Sequence, residues 1–248
     1  MGAISTNLPP IVIGIILGTG DAGIYSAASK LVLFLLMLDR VLATLLLPAA
    51  SRLGAQSQEL LVSRLRFALK WIFITTLPIC IGGTIIADKI ILIVFGNQYI
   101  LSVDVFRILI WYFFVTMLHT IYTSGIIAVG KEKVYAKVML ISTAVYFISI
   151  IICTKYLGVV GSAFAMVFSE VVTLLYMRDR FHRVTTLTLP PAILKVVVSS
   201  IIMGGIVILI PSMNVFLTII IGAIVYAGLL IGTKSITYDE ITNLLEHV

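Results

Sequence analysis

Four charged residues lie inside apolar stretches where charge is costly: Lys30, Asp39, Arg40 and Glu170. A charge near mid-bilayer costs roughly 3 kcal/mol on insertion scales, so it persists where it faces a watery cavity or a partner. Lys30 and Arg40 are ten residues apart, which is about 15 Å along a helix axis and about 80° around it. That spacing lets both border one lumen, as a cationic wall for an anionic group such as a pyrophosphate. Asp39, adjacent to Arg40 and roughly opposite Lys30, is a third candidate for that cavity. The alternative is that Lys30 snorkels outward while Asp39 and Arg40 satisfy neighbouring helices. Glu170, among Val, Phe, Met and Leu, suits either a proton or cation site for coupling or a structural partner of a basic residue. His119, near Thr116, Thr120 and Thr123, reads as a satisfied buried histidine before it reads as a proton relay.

Other chemistry finds little support. Cys80 and Cys153 are widely spaced, each within an apolar stretch, and the histidines His119, His182 and His247 are scattered. No HExxH, CxxC or GxSxG occurs, so neither a metal site nor a hydrolytic centre is expected, and the chain reads as no enzyme and as needing no cofactor. Arg107 and Asp104 read as a hydrated interfacial pair. Trp111-Tyr-Phe-Phe114 reads as an interfacial belt or lipid-facing packing.

The elements that must position these residues are membrane helices. The 248 residues are 60% hydrophobic and 11% charged, with mean hydropathy +1.18, whereas soluble domains carry about 25% charged residues. The net charge of +6 is confined to loops without an aromatic platform. It therefore argues for topology and anionic lipid headgroups rather than nucleic acid. A helix needs about 20 apolar residues to cross ~30 Å of hydrocarbon. About eight such stretches occur, near 4–18, 22–53, 67–87, 105–129, 134–154, 159–176, 193–210 and 215–231. The first is short, interrupted early by Pro9-Pro10, and carries a Gly14/Gly18 small-xxx-small spacing that lets helices approach closely. Asp88–Phe95 is too short to span and reads as an interfacial helix with a turn at Gly96–Tyr99. The tail 235–248 has the pattern of an amphipathic surface helix.

Basic residues gather in alternate gaps. One set contains Arg52, Arg64, Arg66, Lys70, Lys131, Lys133, Lys137, Arg178, Arg180, Arg183, Lys195 and Lys234, against Lys89, Arg107 and Lys155 in the other. Twelve against three is a strong positive-inside asymmetry. The expected topology is a multi-pass protein of a bacterial or archaeal cytoplasmic membrane, with both termini cytoplasmic.

Several segments, taken in order, resemble a family. Gly23-Ile-Tyr-Ser-Ala-Ala-Ser-Lys-Leu31 and Pro48-Ala-Ala-Ser-Arg-Leu53 are similar to the seventh-to-eighth helix region of polysaccharide-type flippases. These belong to the multidrug/oligosaccharidyl-lipid/polysaccharide exporter superfamily. Ala87-Asp-Lys-Ile-Ile-Leu-Ile-Val-Phe-Gly96, then Tyr99, Ser102 and Phe106-Arg-Ile-Leu109, resembles the stretch after the family's ninth helix. Ala128-Val-Gly-Lys131 resembles the end of the tenth, and Gly158-Val-Val-Gly-Ser-Ala163 the start of the twelfth.

The resemblance implies an all-α membrane protein whose eight spans match helices seven to fourteen. It implies a six-helix lobe over 1–183, two further helices over 184–234 and a cytoplasmic tail over 235–248. It also implies a missing N-terminal lobe, without which the cavity between lobes is incomplete. The implied function is flipping of an undecaprenyl-pyrophosphate-linked oligosaccharide for surface polysaccharide such as O-antigen or capsule, by alternating access. Implied partners are that lipid-linked oligosaccharide, membrane lipids, a polysaccharide polymerase and glycosyltransferases. A lipid II flippase or a drug/cation antiporter of the same superfamily is the alternative. An antiporter would favour an acidic, cation-binding lobe. A membrane glycosyltransferase would need a large loop with catalytic carboxylates, and a scaffold would not need so polar a second span.

Overall fold

A computed structural model describes residues 2–210 and 214–233, with side chains from residue 7 onward. Within these residues the chain is helical: α1 (Gly2–Ile16), α2 (Thr19–Gln56), α3 (Gln58–Ile85), α4 (Ala87–Phe95), α5 (Ser102–Ala128), α6 (Glu132–His182), α7 (Ala192–Ile208) and α8 (Val215–Gly232). Five of these are long and apolar enough to cross a membrane, and α1 and α7 are shorter apolar helices. Lys234 and the tail 235–248 lie outside the described residues.

The 51 residues of α6 are two membrane helices joined at a reversal. Gly158 holds φ 64 and ψ −148, a backbone region that glycine enters without steric cost. Thr154 and Ser162 would lie about 12 Å apart along a straight helix, yet their hydroxyl oxygens are 2.7 Å apart. At the opposite end Lys133 and Lys137 of the first arm line one cleft with Tyr176 and Arg180 of the second. The arms are therefore antiparallel, as the separate spans 134–154 and 159–176 require.

The core is centred on α5, where Phe113, Leu109, Ile110 and Ile121 are fully buried. It packs against α2, α3 and α6, and α7 packs on α3 with α8 against α7. This corrects the reading of the aromatic run at 111–114. Phe113 is 0% and Tyr112 8% exposed, and Phe114 meets Phe73 edge-on at 5.3 Å. The run faces helices on several sides because α5 is central, which hydropathy alone does not reveal. The prolines also behave differently from the expected interruption, since α1 runs helically through Pro9 and Pro10. Membrane helices tolerate proline where neighbours support the freed backbone, and α1 is packed on α2 and α6. The short segment after the third span is α4, followed by a single 3₁₀ turn at Asn97–Tyr99.

Basic gaps distant in sequence meet at one end of the bundle. A Cβ on Gly54 would lie 2.8 Å from the Ala128 carbonyl oxygen, joining the ends of α2 and α5. Gln58, Glu59 and Arg66 line one crevice with Thr185 and Thr186. Lys195 donates to the Thr233 carbonyl at 2.9 Å. At the other end, Ser102 donates to the Ile24 carbonyl at 2.8 Å. Cysteines placed at Gln58 and Thr186 are therefore expected to react with an impermeant maleimide from one and the same side, and one at Tyr156 from the other. Labelling of positions 58 and 186 from opposite sides would break the arrangement.

Candidate functional site

The site begins on α2, whose 38 residues exceed the ~20 needed to span a bilayer. Its buried face is set by Tyr25, Ala28, Val32, Leu36 and Leu46, a helical repeat of three to four residues. Lys30 and Arg40 fall off that face and are exposed. They share the open side with apolar residues: Phe34 is 70% exposed and Leu45 68%.

Asp39 turns the other way. It is half-buried and accepts a 2.6 Å hydrogen bond from the Thr120 hydroxyl of α5. One residue before Thr120, His119 Nδ1 lies 2.8 Å from Glu170 Oε1 in the second arm of α6. Both side chains of that pair are 14% exposed. A polar seam thus runs through the bundle from α2 across α5 to α6, built of Asp39, Thr120, His119 and Glu170. The buried His119 Nε2 and Thr123 Oγ1 have no hydrogen-bond partner among the described residues. The seam therefore sets two carboxylates, Asp39 and Glu170, against adjacent residues of α5 within the bundle.

Sequence reasoning singled out Asp39 and Glu170 separately. It did not place Thr120 on Asp39 or His119 on Glu170, pairs 81 and 51 residues apart. The only local signal was the helical spacing of Thr116, His119, Thr120 and Thr123.

Among the described residues, no cluster of three His, Cys, Asp or Glu side chains is placed to hold a metal ion. Cys80 and Cys153 are free thiols, and Cys80 donates weakly to the Ile110 carbonyl at 3.3 Å. Arg107 and Asp104 form an exposed 3.2 Å ion pair.

A second feature is an apolar groove of about 410 Å³ between α2, α3 and α5 on one side and α7 and α8 on the other. Phe34, Ile79, Met203 and Tyr226 line it, and Gly82 and Gly222 leave it open. Tyr226 fixes one wall by donating to the Ile74 carbonyl at 2.8 Å.

Comparison with known proteins gives two findings. Residues 1–104 match the family model described as "Polysaccharide biosynthesis protein". Among solved structures, the chain is similar to the lipid II flippase MurJ in its inward closed conformation. The TM-score is 0.76 at 19% identity, covering 91% of this chain and 50% of that chain. The chain thus spans about half the length of that structure. No curated protein matches it. Both findings agree with the resemblance read from the residue motifs: the chain is a multi-pass membrane protein with the flippase fold, and its first 104 residues match the model of a polysaccharide biosynthesis protein.

Proposed function

We propose that this chain forms one lobe of a flippase that moves an undecaprenyl-pyrophosphate-linked oligosaccharide across the cytoplasmic membrane for surface polysaccharide synthesis. The observation that carries this reading is the open side of α2. Two cations, Lys30 and Arg40, stand exposed on a membrane helix among large apolar residues. Facing lipid, each would cost roughly 3 kcal/mol. Facing a second lobe across a hydrated cavity, they would attract the pyrophosphate and any sugar acids. The apolar groove beside Phe34 suits the polyprenyl tail while the headgroup crosses.

The chain matches half of a flippase structure, which is in keeping with a second lobe that completes the cavity beside Lys30 and Arg40. In this reading residues 1–183 form the lobe, and α7 with α8, in 184–234, close the groove. Termini on the cytoplasmic side follow from the basic gaps. Polymerase and glycosyltransferases are the partners that consume and supply such a substrate.

The His119–Glu170 pair is the proposed coupling site, where protonation biases one lobe arrangement over the other. In the full-length protein, Glu170→Gln is expected to cut translocation at least tenfold and to leave the remainder insensitive to an imposed proton gradient. Transport assayed in vesicles at matched protein levels checks this. An unchanged gradient response in Glu170→Gln would remove Glu170 from coupling.

A further inference from the structure

The two arms of α6 close at Gly158 and part at their other ends. There they enclose a cleft of about 310 Å³ lined by Lys133, Val134, Lys137, Val138, Tyr176 and Arg180. This is near the lower size of small-molecule sites, roughly 300 Å³. The cleft is lined by α6 alone, and its cations are distinct from Lys30 and Arg40 of α2.

Its charge is strongly one-sided. Residues 131–137 and 178–183 carry Lys131, Lys133, Lys137, Arg178, Arg180 and Arg183 against Glu132 and Asp179. Asp179 is engaged by Arg183 at 3.1 Å and lies 3.8 Å from Arg180. Lys133 and Lys137 form no hydrogen bond or ion pair among the described residues. They stand one helical turn apart, so both point to one side.

Arg180 is held rather than free. Its guanidinium lies 4.8 Å from the centre of the Tyr176 ring, and Nη2 donates to the Tyr176 hydroxyl at 2.9 Å. A stacked guanidinium keeps its planar fork oriented and loses little freedom when it grips a phosphate. Two flexible ammonium groups facing one fixed guanidinium, above the apolar floor of Val134 and Val138, form an acceptor for a phosphate attached to an apolar body. Basic pockets between membrane helices at the cytoplasmic interface bind anionic headgroups.

We propose that this cleft holds the phosphate of an anionic phospholipid in the inner leaflet, pinning the open end of the α6 hairpin. The proposal does not depend on the flippase reading. The purified full-length protein carrying this chain, in neutral detergent and analysed by native mass spectrometry with phosphatidylglycerol, tests it. One retained phosphatidylglycerol per chain is expected, with at least a fivefold lower retained fraction in the Lys133→Ala/Lys137→Ala double variant. Arg180→Lys is expected to lose retention as well, because lysine cannot reproduce the stacked fork. Lys131→Ala, which removes a nearby charge outside the cleft lining, is expected to retain the lipid.

Melting curves of every variant establish that each is folded. Millimolar inorganic phosphate that competes the lipid away supports recognition of the phosphate itself. Phosphate binding without lipid retention would overturn the assignment to a lipid. So would parental retention in the folded double variant, or equal loss in Lys131→Ala, which would mark a diffuse charge effect.

Discussion

Gly161→Ala is expected to destabilise the protein by about 3 kcal/mol or more, at the severe end for overpacking. A Cβ at this position would run into the carbonyl oxygen of Cys153, with the Cys153 carbonyl carbon and the Leu157 Cβ each at 2.7 Å. The opposing atoms are mostly backbone, and they belong to the reversal fixed by Gly158 and the Thr154–Ser162 contact. The turn cannot shift without separating the two arms of α6. Those arms carry Glu170 to His119 and Tyr146, Ile150 and Phe181 into the core. Since net stabilities are only about 5–15 kcal/mol, the variant should lose much of its folded population in detergent. Gly205→Ala is the control. It is helical and exposed, a Cβ there meets nothing within 4 Å, and removing a helical glycine adds a few tenths to about 1 kcal/mol. Thermal unfolding followed by size-exclusion recovery separates the two. A Gly161→Ala protein that melts like its parent would contradict the close turn.

Lys30→Ala and Arg40→Ala, each in the full-length protein, are expected to reduce surface polysaccharide at least tenfold without loss of protein. Neither exposed side chain contributes a buried contact whose removal would unfold α2. Each would supply attraction to a phosphate-bearing headgroup in a medium that screens charge less than water. A tenfold loss corresponds to about 1.4 kcal/mol, a modest demand on one charge facing a pyrophosphate. Charge-preserving Lys30→Arg is expected to keep most activity. Arg40→Lys should keep less if the guanidinium contacts the phosphate bidentately. Polymer assayed on the cell surface, with membrane levels of each variant measured in parallel, checks the pair. Parental polymer in both alanine variants would relocate the substrate path away from α2.

The legible and illegible parts of this molecule divide along a physical line. Hydropathy and basic-gap alternation mark the spans because lipid imposes those constraints on the chain locally, whatever the helices pack against. They also separate α4 from a true span, since nine residues reach only about 14 Å. Packing direction is not local. The aromatic run at 111–114 looked interfacial because aromatic residues favour that boundary, yet Phe113 sits at 0% exposure in the central helix. The seam was half legible. Asp39 and Glu170 stood out as charges in apolar context, but Thr120 and His119 became their partners only through the placement of α5 between α2 and α6. Nothing in the local sequence encodes a pair separated by 81 residues.

We propose that this lobe helps move a lipid-linked oligosaccharide. The most direct measurement places the full-length protein carrying this chain in proteoliposomes with a fluorescent undecaprenyl-pyrophosphate oligosaccharide. Accessibility of the label to an impermeant quencher is then followed over time. Protein-dependent transbilayer exchange is expected, cut at least tenfold by Lys30→Ala/Arg40→Ala and responsive to a proton gradient only while Glu170 is intact. Exchange no faster than in protein-free vesicles, from a protein shown to be folded and inserted, would contradict it.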